Sequence, residues 1–435
     1  MQILVLVRAL PLKKNAACDM IKTERKVRRM TDILARLPAY VCAVMDTLDA
    51  AGRRGYLVGG SLRDMLRGVT PHDYDMTTDA TPQEMPEIFR DFRVIPTGLK
   101  HGTLTVLSEG HPIEVTTHRV DGEYLDSRRP ESVSFTRKLS EDLARRDFTV
   151  NAMAWHPETG LVDLFSGRED LEKGIIRAVG EPEKRFAEDA LRILRAFRFS
   201  AQLNFEIEPR TLVGAAARRE GLAHISAERI FSEVSRLLEA PAAVRGLRAM
   251  LEAGCQDLAF SHTVLQVNDL DRLAELPAQV PVRLAFLLRD RTAEEAVELC
   301  RRWKTSCAFS DEVKALLLAL GQPAPDSLYA ARCYVCRYWK GWQGALAIRA
   351  ILGEDVAQAT QMCKTVSKNG TAIEIKRLAV NGKELQEALG VIPARTGVLL
   401  ARLQELCWQE PSRNKKPVLL ALAGEIVKTE RDFTK

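Results

Sequence analysis

Residues 56–78 read YLVGGSLRDMLRGVTPHDYDMTT. A short apolar run ends in Gly59 and Gly60, Arg63 and Asp64 follow, and Asp73 and Asp75 stand two apart. Residues two apart in a strand point to the same side, so both carboxylates can aim at one place. Two hard oxygen ligands suit Mg²⁺, which often bridges to substrate phosphates. A glycine pair lets backbone N–H groups approach a phosphate with no Cβ in the way. Gly60 offers such an N–H, and Arg63 offers a charged fork to oxygens. GGSLRD also reads as a strand-to-helix turn, whose helix N-terminus adds positive potential. The segment thus holds the parts of a phosphoryl or nucleotidyl transferase, with Asp73 and Asp75 as catalytic metal ligands. Solvated turn acids behind Pro71 and an ordinary tight turn are the bland alternatives. The conjunction of glycines, arginine and paired acids favours the metal. Asp64 is open between a sugar contact and a loop contact.

Outward from this stretch the texture divides the 435 residues. Residues 31–54 carry helical spacing through Ile33, Leu34, Leu37, Val41, Val44, Met45 and Leu48. YLVGG, RVIPTG, GTLTVLSEG, HPIEVTTHRV and SVSFTRKL are short β-rich runs broken by Gly, Pro and Asp. Strand texture continues to Asp163–Leu164 and vanishes after Glu181. The remainder is helical, with Pro241, Pro277, Pro281, Pro323, Pro325, Pro393 and Pro411 as boundaries. The expected fold is α+β: a head with a mixed sheet and helices, then an elongated all-α neck, body and tail. The expected divisions are an extension of unassigned role at 1–30, a head at 31–180, a neck at 181–245, and a body and tail at 246–435.

Net charge is +5 and the pI about 8.7, which permits an RNA partner without demanding one. Nine scattered cysteines in a long chain read as reduced thiols, and cytoplasmic placement follows. Cys333 and Cys336 form one CxxC with no second pair to complete a zinc site. The opening MQILVLVRALPLKKNAACDM puts its apolar run before its charge, the reverse of a signal peptide, and the run is too short to span a bilayer. We expect no membrane partner, and an early start with Met20 or Met30 as alternatives.

Two further stretches carry polar chemistry. Arg145-Arg146-Asp147-Phe148 precedes Asn151. One arginine can reach phosphate or sugar while its neighbour faces away; an Arg146–Asp147 surface pair of little energy is the alternative. Asn151 bonds a ribose or braces the loop. In Glu188–Arg198, Asp189, Arg192 and Arg195 are spaced i, i+3, i+6 along an expected helix. Cytosine and adenine both show an amino donor beside a ring-nitrogen acceptor; uracil and guanine show the reverse. A carboxylate only accepts and a guanidinium only donates, so Asp189 with Arg192 matches C and A. A solvated i, i+3 ion pair is the alternative. Glu114, in IEVTT, is open between a third carboxylate ligand and a strand-edge acid.

In order, LVGGSLRDMLRG with DYD, GLKHGTLTV, EVTTHRVDGEY, DSRRPESVSF, RRDFTVNAMA, EDALRILRAFRF, HISAERIFSEVSRLL and LAVNGKEL resemble the class II tRNA nucleotidyltransferases, the CCA-adding enzymes of the DNA polymerase beta superfamily. The likeness runs from about Ala39 to the end. It implies template-independent addition of C, C and A to the tRNA 3′ end from CTP and ATP. It also implies that Arg146 is the nucleotide contact of its pair, that Arg195 and Arg198 meet phosphates, and that Glu114 occupies the place where polymerase relatives often keep a carboxylate. The loop from Tyr124 to Phe135, with Arg128 and Arg129, matches a segment linked to the final A. Basic residues at Lys340, Lys376, Arg377, Lys383, Arg413, Lys415 and Lys416 are open between a stripe that tracks the tRNA backbone and solvated helix faces. A poly(A) polymerase resembles the same head but tends to carry a GRRF-type run where this chain has GLKHGTLTV. An A-adding or CC-adding specialist, or a catalytically inactive RNA-binding protein, completes the alternatives. Oligomeric state is not legible.

Overall fold

The computed structural model describes residues 33–98, 102–121 and 133–430. The expected extension at 1–30, and Arg128 and Arg129 of the polar loop, lie outside the described residues. The chain divides into two compact units, Met1–Ile225 and Ser226–Lys435.

The first unit is built on helix α1 (Ala39–Ala50) and the pair β1 (Gly55–Val58) and α2 (Gly59–Leu66). Then follow β2 (Tyr74–Thr78), α3 (Met85–Ile88), β3 (Arg93–Gly98), β4 (Thr103–Ser108) and β5 (His111–Thr117). Next come β6 (Arg119–Asp121), β7 (Val133–Phe135), α4 (Leu139–Ala144), β8 (Met153–His156) and β9 (Gly160–Asp163). Seven strands form one mixed sheet in the order β3-β4-β5-β2-β1-β8-β9. Only β2 and β5 run parallel in it; the other neighbours are antiparallel. In register, Leu57 lies opposite Met76 and Trp155, and cross-strand partners share a face. These three bury against Val41, Val44, Met45 and Leu48 of α1 and Leu62 and Met65 of α2. That is the core. The opposite face carries Val58 and Ala154, which pack on Leu143 of α4.

Several expectations need correction. The pattern over 31–54 is two pieces, because Pro38 stands in extended backbone (φ −62°, ψ 147°) and caps α1 without continuing the turn before it. Leu34 is 45% exposed and leaves the apolar stripe. Strand does not vanish after Glu181: β10 (Ile175–Ile176) pairs in parallel with β11 (Glu206–Ile207). Two residues are too short for a period to show in sequence.

Beyond β9 the first unit continues with α5 (Gly167–Lys173), α6 (Pro182–Glu188) and α7 (Leu191–Leu203). Every regular element among the described residues of the second unit is a helix, with Pro281 and Pro393 inside first turns. Buried Arg283 donates to the carbonyls of Leu238 and Ala240, satisfying a helix end that would otherwise be orphaned. Among the described residues no helix is long and apolar enough to cross a membrane.

Gly167 opens α5 against the turn that carries Asn151. A Cβ there would sit 2.1 Å from the Thr149 carbonyl oxygen. Backbone cannot yield as a flexible side chain can, so Gly167→Ala should cost about 1–3 kcal/mol. Thermal melting checks this; an unchanged Tm would show that the turn gives way freely.

Candidate active site

The site grows from the junction of β1 and α2. Gly59 has φ +68°, a left-handed backbone that glycine adopts without strain. The position of its missing Cβ is 3.8 Å from Asp75 Oδ2 and 3.6 Å from Arg146 Nη1. A side chain would fill the space between a carboxylate and a guanidinium. Gly60 follows in the first turn of α2, so its N–H belongs to the helix N-terminus.

Asp75 lies in β2 opposite Val58 and beside Glu114 of β5. It therefore faces the α4 side of the sheet together with Glu114, which is exposed. Asp73 is exposed and precedes the first residue of β2, so the two aspartates do not share a strand as the sequence suggested. They remain electrostatic neighbours. Burial, then the Glu114 charge, push the Asp75 carboxyl up to about 6; Arg146 opposes this and Asp73 adds to it. Such a carboxylate is short of positive charge. Among the described residues no three His, Cys, Asp or Glu side chains stand ready to hold a metal by themselves. Carboxylates that leave positions to water and substrate oxygens are the donor set Mg²⁺ ordinarily accepts. The residues present fit such an ion.

Two buried aspartates hold the arginines: Asp142, missed in the sequence, and Asp147, expected there only as a surface partner of Arg146. Asp142, in α4, is fully buried. Its Oδ1 accepts from Arg145 Nε (2.9 Å) and Nη2 (2.7 Å), and its Oδ2 accepts from Arg146 Nη2 (3.1 Å) and Thr77 Oγ1 (3.3 Å). Burial raises its pKa, but Arg146 and Arg145 outweigh that and hold it at about 2. Arg146 thus pairs with Asp142, not with Asp147 at the surface. The i, i+3 and i, i+4 spacing of Asp142 to Arg145 and Arg146 was the available signal. His118, beside this pair and 2.8 Å from Thr77 Oγ1, is driven down to about 4, chiefly by burial.

Asp147 accepts from Arg195 Nε at 2.7 Å and from Asn151 Nδ2 at 3.3 Å. Asn151 Oδ1 in turn accepts from Arg63 Nη1 at 2.9 Å. Asn151 therefore braces Arg63, and a polar chain runs from α2 to α7. Asp64 turns to its own neighbour, accepting from Arg63 Nε (3.0 Å) and Nη2 (3.1 Å). Arg63, Arg195 and Arg198 converge on one ring, with guanidinium carbons 5.4, 5.2 and 4.2 Å from the Phe199 centroid.

Asp189 is not in the helix with Arg192 and Arg195. It stands in extended backbone (φ −144°, ψ 105°) after α6, and α7 starts at Leu191. Its Oδ1 accepts from Leu191 N at 3.0 Å, as aspartates do ahead of helices. Asp189 and Arg192 stay adjacent, through Arg192 N donating to Asp189 O at 3.0 Å. The Arg192 guanidinium is set by Glu188 Oε2 (2.7 Å) and the carbonyls of Arg185 (3.1 Å) and Arg145 (3.1 Å).

Family models match along the chain. The poly A polymerase head domain covers residues 55–177, an RNA and SrmB binding site of polymerase A covers 204–261, and tRNA nucleotidyltransferase domain 2 covers 282–423. The CCA-adding enzyme of Pediococcus pentosaceus is 34% identical over 407 residues, spanning 90% of this chain and 98% of that protein. That of Streptococcus gordonii is 42% identical over 296 residues, 67% of this chain and 73% of that protein. Among solved structures, the Bacillus stearothermophilus CCA-adding enzyme in complex with CTP matches with TM-score 0.76 and 30% identity, covering 91% of this chain and 100% of that one.

The Asp147–Arg195 pair has a pH signature. Burial raises the Asp147 pKa, yet Arg195 and then Arg192 hold it at about 2. An unfolded aspartate takes up its proton near pH 4, so the pair's stabilisation is complete above about pH 4 and lost as pH falls towards 2. Asp147→Asn should lower unfolding free energy by roughly 2 kcal/mol at pH 7, with the deficit narrowing below pH 4. Denaturant melts at several pH values check this; a deficit independent of pH would contradict it.

Proposed function

The chain belongs to the CCA-adding enzymes, and from that premise we propose how its first unit carries out the reaction. Enzymes of this kind, and this chain among them, add C, C and A without a nucleic-acid template to the 3′ end of tRNA, using CTP and ATP. The family implies a divalent metal; we identify it as Mg²⁺, held by Asp73 and Asp75, with Glu114 beside Asp75 as a third carboxylate. Bound there, the ion would lower the pKa of the tRNA 3′ hydroxyl and neutralise charge at the α-phosphate. The observation that carries this reading is the meeting of Asp75, the bare Cα of Gly59 and Arg146 at one strand–helix junction.

The other roles follow from placement. The Gly60 N–H and Arg146 meet the phosphates nearest the reacting centre. Arg63, Arg195 and Arg198 take the distal phosphates and stabilise the leaving pyrophosphate, as fixed donors do for developing charge. Asp189 and Arg192 read the base edge, accepting from the amino group and donating to the ring nitrogen of C or A. No covalent enzyme intermediate is required. Residues 181–245 serve as a neck, and 246–435 as a body and tail that grip the tRNA acceptor arm by shape and phosphate contacts. The protein works in the cytoplasm.

Purified protein, tRNA ending before CCA and each labelled NTP in turn test transfer, base choice and stopping point together. Incorporation should stop after C, C and A. Continued adenylation would favour the poly(A) polymerase reading, and arrest after two C residues the CC-adding one. Asp75→Ala should reduce incorporation to background with tRNA binding retained; unchanged incorporation would remove the metal assignment. Asp189→Ala should erode the preference for CTP and ATP over UTP and GTP by about 10- to 100-fold, the equivalent of roughly 1.5–3 kcal/mol for a buried group left unpaired. Single-turnover rates with all four nucleotides measure it.

A further inference from the structure

We propose that Phe199 is a positioning residue for the triphosphate: the face of its ring holds Arg63, Arg195 and Arg198 together as one receptor. The inference rests on the nucleotidyl-transfer reading given above. Arg63 comes from α2, while Arg195, Arg198 and Phe199 come from α7. The three guanidinium carbons lie over the same ring at 4.2–5.4 Å. All are within the distance at which the negative face of an aromatic ring attracts a cation. The ring is fixed from another side, meeting fully buried Phe148 edge-on at 5.8 Å and 82°. Phe199 itself is 7% exposed, so the attraction acts where water screens little.

Three like charges from two helices repel before any substrate arrives. Asp147 and Asp64 offset this for Arg195 and Arg63, by direct bonds at 2.7 and 3.0 Å. Each carboxylate, however, also repels an incoming polyphosphate. A neutral ring face draws the guanidiniums inward without adding negative charge. It can therefore preset the cluster and leave its attraction for phosphate intact, which lowers the ordering cost of binding. The phosphate is common to CTP and ATP, so the effect must be the same for both, unlike anything acting through the base.

The test replaces Phe199 in the full-length chain with mono-, di- and trifluorophenylalanine by suppression of a nonsense codon. Fluorination preserves ring shape and packing while draining the negative face. The KM for CTP and for ATP should rise in parallel with each fluorine, reaching about three- to tenfold, with kcat changed less and Tm unchanged. Phe199→Tyr should retain wild-type KM, and Phe199→Leu should raise it for both nucleotides. A KM that ignores fluorination would overturn the proposal and leave Phe199 a packing residue. A rise for one nucleotide only would overturn it as well, since it would place the ring at the base. If the wild-type protein itself failed to extend truncated tRNA, the functional reading would fail instead.

Discussion

The head is organised around the fully buried carboxylate of Asp142. Removing a charge from water costs several kcal/mol unless close partners replace the solvent. Here Arg145, Arg146 and the Thr77 hydroxyl do so, and Arg119 N adds a backbone bond at 3.3 Å. These groups come from β2, β6 and the end of α4. The ion cluster therefore ties the strand bearing Asp75 to the segment bearing Arg146. Leaving any one partner out strands a charge indoors, which is more costly than never having built the pair. Geometry at the site is inherited from this buried cluster, not from the exposed acids above it.

Asp142 and Asp75 show how one sheet face can drive two carboxyls apart. Both are buried enough for desolvation to raise their pKa. Asp142 has two guanidiniums in direct contact and ends at about 2. Asp75 has Glu114 and Asp73 as neighbours, only Arg146 to oppose them, and ends at about 6. Environments that separate like groups in this way assign different tasks to them. The satisfied carboxylate is scaffold. The unsatisfied one is where added positive charge is most favourable.

The sequence was informative wherever chemistry and spacing were local. Gly59, Gly60 and Arg63 belong to one strand–turn–helix, and Asp75 lies in the next strand, opposite Val58. The α+β class and the helical second half followed from texture alone. Local reasoning failed at element ends: Asp73 falls just outside β2, Asp189 falls in extended backbone before α7, and Pro38 divides the first helix. It also failed for partners distant in sequence. Arg195 chooses Asp147, 48 residues away, and no periodicity announces that choice. The contact of Phe199 with Arg63 joins two helices, and nothing in the local spacing marks it. Asp142 alone was within reach, through its helical offset from two arginines.

The arginines assigned to phosphate are held by other side chains, and this bears on how binding energy is used. Partners hold the arginines assigned to phosphate: Asp142 for Arg146, Asp147 for Arg195, Asn151 and Asp64 for Arg63, and the Phe199 ring beside Arg198. Partners that fix a guanidinium reduce the entropy lost on binding but also compete for its donors. The balance favours binding when the partner engages one edge of the fork and leaves the charge directed at the site. Arg146 meets this condition, with Nη2 on Asp142 and Nη1 turned towards the space above Gly59. Arg63 is held on both edges, by Asp64 through Nε and Nη2 and by the neutral amide of Asn151 through Nη1, so an incoming phosphate competes with Asp64 for it. Carboxylates at Arg146 and Arg195, a carboxylate and an amide at Arg63, and the Phe199 ring beside Arg63, Arg195 and Arg198 are thus a consequence of holding cations still.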